Sequence, residues 1–405
     1  MKQPTRELIH GDCFEVLQTM ESNSVDAVVT DPPYGLSFMG KNWDYDVPPV
    51  DLWREVCRVL KPGGHLLSFG GTRTYHRMVV NIEDGGFEIR DQIQWLYGSG
   101  FPKSLDVSKA IDKAAGEVRP VVGVETLTND IRGNSSNGRG ISGPNKNTDP
   151  LIRNITAPAT PAAAQWSGWG TALKPANEPI CVGRKPFKGT VVKNVLEHGT
   201  GALNIDGCRI EGNYFTRDRN TTKGGSMFNT GKGGDDFVPA SGRWPANVIL
   251  THSPDCEPGE CSDGCPVAEL DRQSAGVGGG YGTEGRNKSK GCYGDFSGVT
   301  NGKPFGFNDT GTASRFFYVA KASAAERGED NRHPTVKPVK LMSYLIRLVS
   351  PPGGTVLDPF MGSGTTGIAA HEENVSFIGI EKNKDYFDAA VERVDRATRQ
   401  LALAL

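Results

Sequence analysis

The segment Val356-Leu-Asp-Pro-Phe-Met-Gly-Ser-Gly-Thr-Thr-Gly-Ile-Ala-Ala370 joins a short apolar run to a helix-forming run through a glycine-rich turn. The apolar run ends at Asp358, and the helix-forming residues begin at Thr365. A parallel strand passes the chain to a helix in this way in doubly wound α/β sheets, where ligands bind outside the carboxyl ends of the strands. The segment therefore predicts a Rossmann-like sheet with a ligand site at this turn.

Several groups around this turn have the chemistry to hold a nucleotide-like cofactor. Gly362 and Gly364 allow close approach of the backbone to a ligand, and the N–H groups that start the helix favour a negative group such as a carboxylate. A second apolar run ends at Glu381, about 20 residues past the turn, where a carboxylate can bind ribose hydroxyls. Rossmann-like sheets bind many nucleotides, so this motif alone leaves the cofactor open.

A second motif, Asp31-Pro-Pro-Tyr34, follows the apolar run Val25 to Thr30. Two consecutive prolines fix the backbone and leave their carbonyl oxygens without competing N–H groups. Asp31, Pro32, Pro33 and Tyr34 are therefore predicted on a rigid turn at the carboxyl end of another buried strand. Taken by itself, this motif is equally typical of an ordinary proline turn.

The two motifs together resemble those of the DNA amino-methyltransferases, which use S-adenosylmethionine to methylate the exocyclic nitrogen of adenine or cytosine. The resemblance implies that Asp31, Pro32, Pro33 and Tyr34 are catalytic. It implies that the cofactor is bound by Asp358, Phe360, Gly362, Ser363, Gly364, Thr365 and Glu381. An Asp at the first position of the first motif resembles adenine-N6 enzymes more than cytosine-N4 enzymes, and both bases remain open. A cytosine-C5 enzyme needs a Pro-Cys nucleophile, and the sequence contains no Pro-Cys dipeptide.

Two shorter segments add to the resemblance. Asp12, in Gly11-Asp12-Cys13, is expected near the adenine ring of the cofactor, or as the N-cap of a helix. The segment His333-Pro-Thr-Val-Lys-Pro338 is expected against the methionine end of the cofactor, with Thr335 and Lys337 as its polar groups. A loop that enters a helix through proline is the alternative for this segment.

The order of the motifs indicates a subtype. The catalytic motif precedes the cofactor motif, which resembles the circularly permuted beta group of these methyltransferases. The resemblance covers about residues 5–97 and 314–397. It predicts a catalytic half at 1–97, a loop-rich insertion at 98–313 and a cofactor-binding half at 314–405. Alternating strands and helices predict a parallel sheet, with Ser314 to Lys321 as the strand that opens the second half.

The insertion, loosely similar to phage and prophage enzymes of the group, is rich in Gly, Asn, Ser and Thr. Asp130 to Asp149 and Arg219 to Asp236 are predicted to be flexible loops. Basic and aromatic residues alternate in it, namely Arg184, Lys185, Phe187, Lys188, Lys193, Arg209, Tyr214, Phe215, Arg217, Arg219, Lys223, Arg243 and Trp244. Such a mixture suits contact with phosphates and unpaired bases, so the insertion is predicted to recognise double-stranded DNA. An ordinary solvated surface is the alternative for any one of these residues.

One cluster in the insertion has ligand chemistry. His252, Cys256, Cys261 and Cys265 lie within fourteen residues and could form a tetrahedral zinc site. Their spacing lacks a Cys-x2-Cys pair, and acidic residues surround them. Isolated packed thiols are the favoured interpretation, and no metal is expected in catalysis.

Length, charge and cysteine usage limit the function classes. A chain of 405 residues exceeds one typical domain, and its net charge of −2 means that nucleic acid must be bound by a local basic surface. No apolar run approaches membrane-spanning length, and no signal peptide is recognised. Eight scattered cysteines favour a reducing cytoplasm rather than a disulfide framework. A homodimer is left open.

The resemblance also implies a chemistry for these residues. The lone pair of an adenine N6 amine is delocalised into the ring, so the amine is a poor nucleophile. Asp31 and the Pro32 carbonyl are expected to accept hydrogen bonds from the amine as it reacts. Tyr34 is expected to stack on a base flipped from the duplex. Transfer is expected to be direct, without a covalent enzyme intermediate.

Overall fold

The computed structural model describes residues 4–36, 46–98, 100, 104–127, 151–217, 237–253, 256, 260–275, 289–291, 294–296, 311–320 and 336–403. Its strands are β1 Arg6–His10, β2 Val25–Thr30, β3 Leu60–Phe69, β4 Glu88–Tyr97, β5 Val121–Leu127, β6 Leu151–Thr156, β7 Asn177–Arg184, β8 Ile210–Arg217, β9 Phe237–Arg243, β10 Val248–Thr251, β11 Ser289–Gly291, β12 Gly294–Phe296, β13 Tyr318–Ala320, β14 Thr355–Asp358 and β15 Ser376–Glu381. Its α-helices are α1 Cys13–Thr19, α2 Val50–Val59, α3 Tyr75–Asp84, α4 Val107–Ala114, α5 Pro161–Gln165, α6 Val191–His198, α7 Pro266–Ser274, α8 Val339–Val349, α9 Thr365–Glu372 and α10 Lys384–Leu403.

A nine-stranded sheet organises the larger of two compact units, which comprises Met1–Gly98 and Asn177–Leu405. The strand order is β1-β15-β14-β2-β3-β7-β4-β10-β13. Every neighbouring pair is parallel except the two that involve β7, which runs antiparallel between β3 and β4. This confirms the predicted Rossmann-like doubly wound sheet.

Both faces of the sheet are buried by helices. Alternate side chains of each strand point to opposite faces, so Ala27 and Val29 of β2 join one hydrophobic cluster while Val28 joins the other. Helices α8, α9 and α10 contribute to the first cluster, and helices α1, α2 and α3 contribute to the second. Burial on both faces explains why the strands are nearly continuous apolar runs.

The two motif-bearing strands are neighbours, although more than 300 residues separate them in sequence. Val356 of β14 pairs with Ala27 of β2, and β1 pairs with β15, so the two ends of the chain meet in one sheet. From β14 the chain continues to β15 on one side, and from β2 it continues to β3 on the other. The carboxyl ends of β14 and β2 therefore lie at a topological switch point, where doubly wound sheets bind their ligands.

A buried carboxylate links these strands at their amino ends. Asp26 of β2 is 5% exposed and accepts a hydrogen bond from the Thr355 backbone N–H of β14 at 2.8 Å. The Nζ of Lys61 donates to the same carboxylate at 2.6 Å. Asp26 thus fixes the pairing of β2 and β14 at the edge opposite the switch point.

The second compact unit comprises Ser99–Ala176 and contains α4, α5 and the antiparallel pair β5–β6. Its interior is organised around Asp112, which accepts hydrogen bonds from the backbone N–H groups of Ala159 and Thr160, each at 3.0 Å. The Arg119 guanidinium forms an ion pair with the same carboxylate at 2.7 Å.

The domain boundary differs from the predicted one. The second unit ends at Ala176, whereas the sequence predicted an insertion that continued to residue 313. The reason is that Asn177–Arg184 and Val248–Thr251 pair as β7 and β10 within the large sheet. The predicted loops at 130–149 and 219–236 lie outside the described residues.

The predicted strand at 314–321 is only partly formed. Ala313–Phe316 is a 3-10 turn, and only Tyr318–Ala320 pairs with the sheet. Asp271 of α7 explains the difference, since its carboxylate accepts hydrogen bonds from both the N–H and the hydroxyl of Ser314. These bonds hold the chain in a turn despite its β-prone sequence.

None of the helices in the described ranges combines the length and the apolar character needed to cross a membrane.

Candidate active site

The Asp31-Pro-Pro-Tyr34 turn begins directly after β2, at the carboxyl edge of the sheet. Pro32 is buried and Pro33 is half-buried. The hydroxyl of Thr74 donates to the Tyr34 carbonyl at 2.6 Å, which fixes the end of the turn. A Cβ added at Gly71 would lie 3.2 Å from the Tyr34 side chain, so the tyrosine packs closely on this glycine. The predicted turn at the strand end is confirmed.

A cluster of four polar side chains, Asp31, Tyr34, Glu178 and Lys337, lies at this turn. The Tyr34 hydroxyl is 2.7 Å from Asp31 Oδ1 and 2.8 Å from Glu178 Oε2, so it can donate to either carboxylate. Lys337 Nζ is 2.6 Å from Asp31 Oδ2 and 3.1 Å from Glu178 Oε2. We call this group the carboxylate cluster.

Lys337 holds the two carboxylates together. Its side chain is 7% exposed, and its ammonium lies within 6 Å of the ring centroids of Tyr34, Phe69 and Trp95. Burial alone would lower the pKa of this ammonium, but the charges of Asp31 and Glu178 raise it above its ordinary value. A buried charge is tolerated when it is paired and hydrogen-bonded in this way.

Lys337 has protein partners that its motif did not indicate. The sequence placed it with Thr335 against the methionine end of a cofactor, and its ammonium is bound to Asp31 and Glu178. Thr335 lies outside the described residues.

The Tyr34 hydroxyl is hydrogen-bonded to Asp31 and Glu178, and the sequence motif did not indicate these partners. Burial, together with the nearby charges of Asp31 and Glu178, raises the pKa of this hydroxyl well above its ordinary value. Tyr34 is therefore protonated at neutral pH and acts as a donor. Counted by formal charge, two carboxylates and one ammonium give the carboxylate cluster a charge of about −1.

The glycine-rich turn after β14 is organised by Asp358, which is 2% exposed. Its carboxylate accepts hydrogen bonds from the hydroxyls of Thr30 at 2.6 Å and Thr366 at 2.5 Å, and from the Phe360 N–H at 3.1 Å. Burial raises the pKa of Asp358 to about 6, against the lowering effect of these hydrogen bonds. Because Thr30 directly precedes Asp31, this carboxylate ties the glycine-rich turn to the Asp31-Pro-Pro-Tyr34 turn.

Gly362 and Gly364 both have left-handed backbone conformations, with φ of 52° and 78°. The sequence predicted that both glycines admit a ligand, and a Cβ added at Gly364 would also lie 2.8 Å from Val394 of α10. Gly364 is thus required for the packing of two helices. The hydroxyls of Ser363 and Thr365 accept hydrogen bonds from Arg393 at 3.0 and 3.3 Å.

Two further carboxylates stand at neighbouring strand ends. Glu381 ends β15, and its carboxylate accepts hydrogen bonds from the N–H groups of Gly362 at 3.0 Å and Asn383 at 2.7 Å. Burial raises the pKa of Glu381, although these N–H groups act in the opposite direction. Asp12 caps α1 through the Phe14 N–H at 2.9 Å and is paired with Lys382. The N-cap expected for Asp12 is confirmed.

Glu178 was missed by sequence reasoning. It lies in β7, which runs antiparallel to its neighbours, so its first residues reach the edge where the parallel strands end. The only signal in the sequence is an acid at the start of an apolar run, in Asn177-Glu-Pro-Ile-Cys-Val182. Strand direction cannot be read from such a run, and this hides the role of the acid.

The predicted basic and aromatic set divides into structural and exposed members. Arg184 is paired with Glu88, and Arg243 is 8% exposed, so both belong to the folded core. Lys185 donates to the backbone carbonyls of Arg58 and Leu60, and Arg209 is paired with Asp206. The exposed members are Lys188, Lys193 and Trp244. Arg219 and Lys223 lie outside the described residues, as do the side chains of Tyr214, Phe215 and Arg217.

The fold and the site define a class of protein. At the switch point of the doubly wound sheet, a glycine-rich turn held by Asp358 follows β14. A rigid turn that carries the Asp31 carboxylate follows the neighbouring strand β2. The first is suited to a nucleotide-like cofactor, and the second offers hydrogen-bond acceptors to a substrate amine. This combination is that of a Rossmann-like methyltransferase acting on an amine.

Comparison with known proteins gives the family. Residues 25–114 and 279–392 match the DNA methylase family whose members modify N6 or N4 amino groups. The matched ranges make up half of the chain, and the chain belongs to this family.

Relatives and solved structures are similar over different lengths. Type II methyltransferase M.HindIII of Haemophilus influenzae is 23% identical over 433 residues, which cover 96% of this chain and 94% of the relative. DNA adenine methyltransferase YhdJ of Escherichia coli K12 is 45% identical over 74 residues, which cover 18% of this chain and 25% of the relative. The crystal structure of the M1.HpyAVI–SAM complex aligns over 96% of this chain and all of its own, with 18% identity and a TM-score of 0.40.

The methyl donor of this family is S-adenosylmethionine. The donor and acceptor groups present fit it. Glu381, at the end of β15, would offer its carboxylate to the ribose hydroxyls, and Asp12, just past the end of the neighbouring strand β1, would lie near the adenine ring. The N–H groups at the start of α9 suit the carboxylate of its methionine end.

Proposed function

We propose that this protein methylates the N6 amino group of adenine at specific sites in double-stranded DNA, with the base flipped out of the helix. The observation that carries the proposal is the carboxylate cluster. Asp31 stands at the switch point, one residue from the Thr30 that is bonded to the cofactor turn. The target amine and the methyl donor can therefore be held by adjacent strand ends.

Asp31 can accept a hydrogen bond from the amine while keeping its protein partners. A carboxylate offers about four lone-pair sites, and Tyr34 and Lys337 occupy two of them. As the amine nitrogen becomes pyramidal, its N–H groups become more acidic and bind acceptors more strongly. Asp31 and the Pro32 carbonyl supply two acceptors held in place before the reaction.

The charge of the carboxylate cluster favours the same step. S-adenosylmethionine, when bound, supplies an electrophilic methyl group on a sulfonium sulfur. Positive charge then develops on the amine nitrogen, and a nearby cluster of charge about −1 stabilises it. Glu178 provides the excess negative charge of the carboxylate cluster, since Asp31 and Lys337 alone would form a neutral pair.

Adenine is favoured over cytosine by two observations. The first is Asp at the opening position of the Asp31-Pro-Pro-Tyr34 motif, which resembles adenine-N6 enzymes. The second is the 45% identity to a relative named as a DNA adenine methyltransferase. Cytosine N4 is the alternative because its exocyclic amine also needs hydrogen-bond acceptors as it reacts.

Sequencing tests the proposal in cells. DNA from cells that express the protein is read with detection of modified bases, beside DNA from cells that express Asp31→Ala. Modified adenines in a fixed sequence context, present only with the wild-type chain, are expected. Modified cytosines in that context would favour the alternative base. The absence of any modified base would contradict the proposal.

Replacing Glu178 with Gln is expected to lower kcat by about tenfold to a hundredfold while KM for DNA changes little. The substitution keeps the shape of the side chain but makes the carboxylate cluster neutral. Steady-state kinetics measure the effect. Tyr97→Phe is the control, since it removes only a 3.3 Å hydrogen bond to Glu178 and should change kcat by about threefold or less. Equal losses in both variants would contradict the charge argument.

Replacing Glu381 with Ala is expected to weaken S-adenosylmethionine binding by about 1–3 kcal/mol, because a charge-assisted bond to ribose is lost. Isothermal calorimetry measures the affinity. Glu392→Ala is a matched control, because that side chain is 75% exposed on α10. Unchanged affinity in Glu381→Ala would leave the Glu381 carboxylate with only a structural role, as acceptor for the N–H groups of Gly362 and Asn383.

We infer that the unit Ser99–Ala176 supplies part of the DNA-binding surface. It contains nine basic and six acidic residues, so it is positive within a chain of net charge −2. Trp166 and Trp169 of this unit are 40% and 59% exposed, so the unit also presents aromatic surface. Both features suit contact with phosphates and unpaired bases.

DNA affinity is expected to fall by about tenfold or more between 50 and 200 mM salt, since bound Lys and Arg release counterions from phosphates. Fluorescence anisotropy with duplex DNA measures this. Leu96 and Asn177 are paired neighbours in β4 and β7, so a short turn can replace the unit without changing the sheet. The shortened protein should keep cofactor affinity and lose DNA affinity. Unchanged DNA affinity in the shortened protein would show that another part of the chain binds DNA.

A further inference from the structure

His252, Cys256, Cys261 and Cys265 are brought together by the fold, which corrects the expectation of isolated thiols. One ligand atom from each lies within 4.8 Å of all the others. Nδ1 of His252 is 3.4 Å from Sγ of Cys265 and 3.4 Å from Sγ of Cys261. The seven cysteines in the described part of the chain are free thiols, so no disulfide explains this grouping.

The two separations of 3.4 Å from His252 to Cys261 and Cys265 are close to the edge of a zinc tetrahedron. Zinc bonds of about 2.3 Å to sulfur and about 2.0–2.1 Å to nitrogen place neighbouring ligand atoms about 3.6 Å apart. Three cysteines and one histidine are also an established ligand set for zinc. All four positions are filled by protein, which leaves no position for substrate or water.

Neighbouring groups prepare the site. The backbone N–H of Ser262 donates to Sγ of Cys256 at 3.3 Å, an interaction that stabilises a thiolate. Cys265 is 1% exposed and precedes the first residue of α7, where Pro266 fixes the backbone. His252 thus follows the end of β10 and Cys265 caps the start of α7, while Cys256 and Cys261 lie between these two elements.

We propose that these four residues bind one structural zinc ion that fastens the end of β10 to the start of α7. His252 directly follows Thr251, and the hydroxyl of Thr251 accepts a hydrogen bond from the Trp95 indole at 2.6 Å. Trp95 is one of the three aromatic residues around the Lys337 ammonium. The zinc thus supports the wall of the carboxylate cluster without contacting it.

Metal analysis of the full-length protein, purified under reducing conditions, tests the proposal. About one zinc per chain is expected for the wild type. The variant Cys261→Ser alters the most exposed ligand, so it carries the smallest risk to folding, and its zinc content should fall severalfold. Cys57→Ser, a half-buried cysteine of α2, is the matched control and should keep about one zinc.

Cobalt substitution gives a second measurement that does not depend on a variant. Wild-type protein treated with a chelator and then with Co²⁺ should show the visible bands of tetrahedral cobalt and thiolate-to-cobalt charge transfer. Chelation should also lower the melting temperature, and zinc should restore it. The proposal is overturned if the wild type holds no stoichiometric zinc and shows no thiolate bands with cobalt. It is equally overturned if Cys261→Ser retains as much zinc as Cys57→Ser.

Discussion

Replacing Asp31 with Ala is expected to lower the rate of methyl transfer by about two to three orders of magnitude, with DNA and cofactor affinities little changed. The lost acceptor binds most strongly when the amine carries developing positive charge, so its removal acts on turnover rather than on binding. Folding should be preserved because Lys337 keeps Glu178 as a partner at 3.1 Å. Single-turnover transfer of labelled methyl to duplex DNA measures the rate.

Two further variants separate charge from shape at this position. Asp31→Asn keeps the shape and removes the negative charge, so it should be nearly as slow as Asp31→Ala. Asp51→Asn is the control for a lost carboxylate, because Asp51 lies on α2 with 71% of its side chain exposed. Full activity of Asp31→Ala would contradict the mechanism. Full activity of Asp31→Asn would show that charge is unimportant there.

Replacing Asp358 with Ala is expected to weaken S-adenosylmethionine binding by about a hundredfold, or about 3 kcal/mol. Three donors, the hydroxyls of Thr30 and Thr366 and the N–H of Phe360, would lose their buried acceptor, and the cofactor turn would lose its shape. Calorimetric titration with the cofactor measures the affinity.

Asp26→Ala is a closely matched control for this variant. Asp26 and Asp358 are both buried and both link β2 to β14, but they do so at opposite ends of the strand pair. Both variants should lower the melting temperature. Only Asp358→Ala should lower cofactor affinity, and equal losses of affinity would show that the effect arises from general instability.

The parts of the site that the sequence predicts are those that local chemistry determines. A double proline specifies the Asp31 turn, and an acid followed by a glycine-rich run specifies the turn around Asp358. The parallel sheet follows from apolar runs alternating with helices. Each of these needs only neighbouring residues, so each can be inferred without tertiary contacts.

The parts that were missed depend on tertiary contacts. Glu178 enters the site only because β7 runs antiparallel, and Lys337 reaches Asp31 across more than 300 residues of sequence. The turn at Ser314 is imposed by Asp271 in a different element. The grouping of His252 with three cysteines requires a fold of the intervening loop that the spacing does not specify. Such contacts override local propensity.

The central claim is tested most directly by following labelled methyl from S-adenosylmethionine into duplex DNA and identifying the modified nucleoside by chromatography and mass spectrometry. Wild-type protein is predicted to place the label on N6 of adenine, and Asp31→Ala is predicted to place about a hundredth of it or less in the same time. Label on any acceptor other than adenine N6, or equal label from both proteins, would contradict the account.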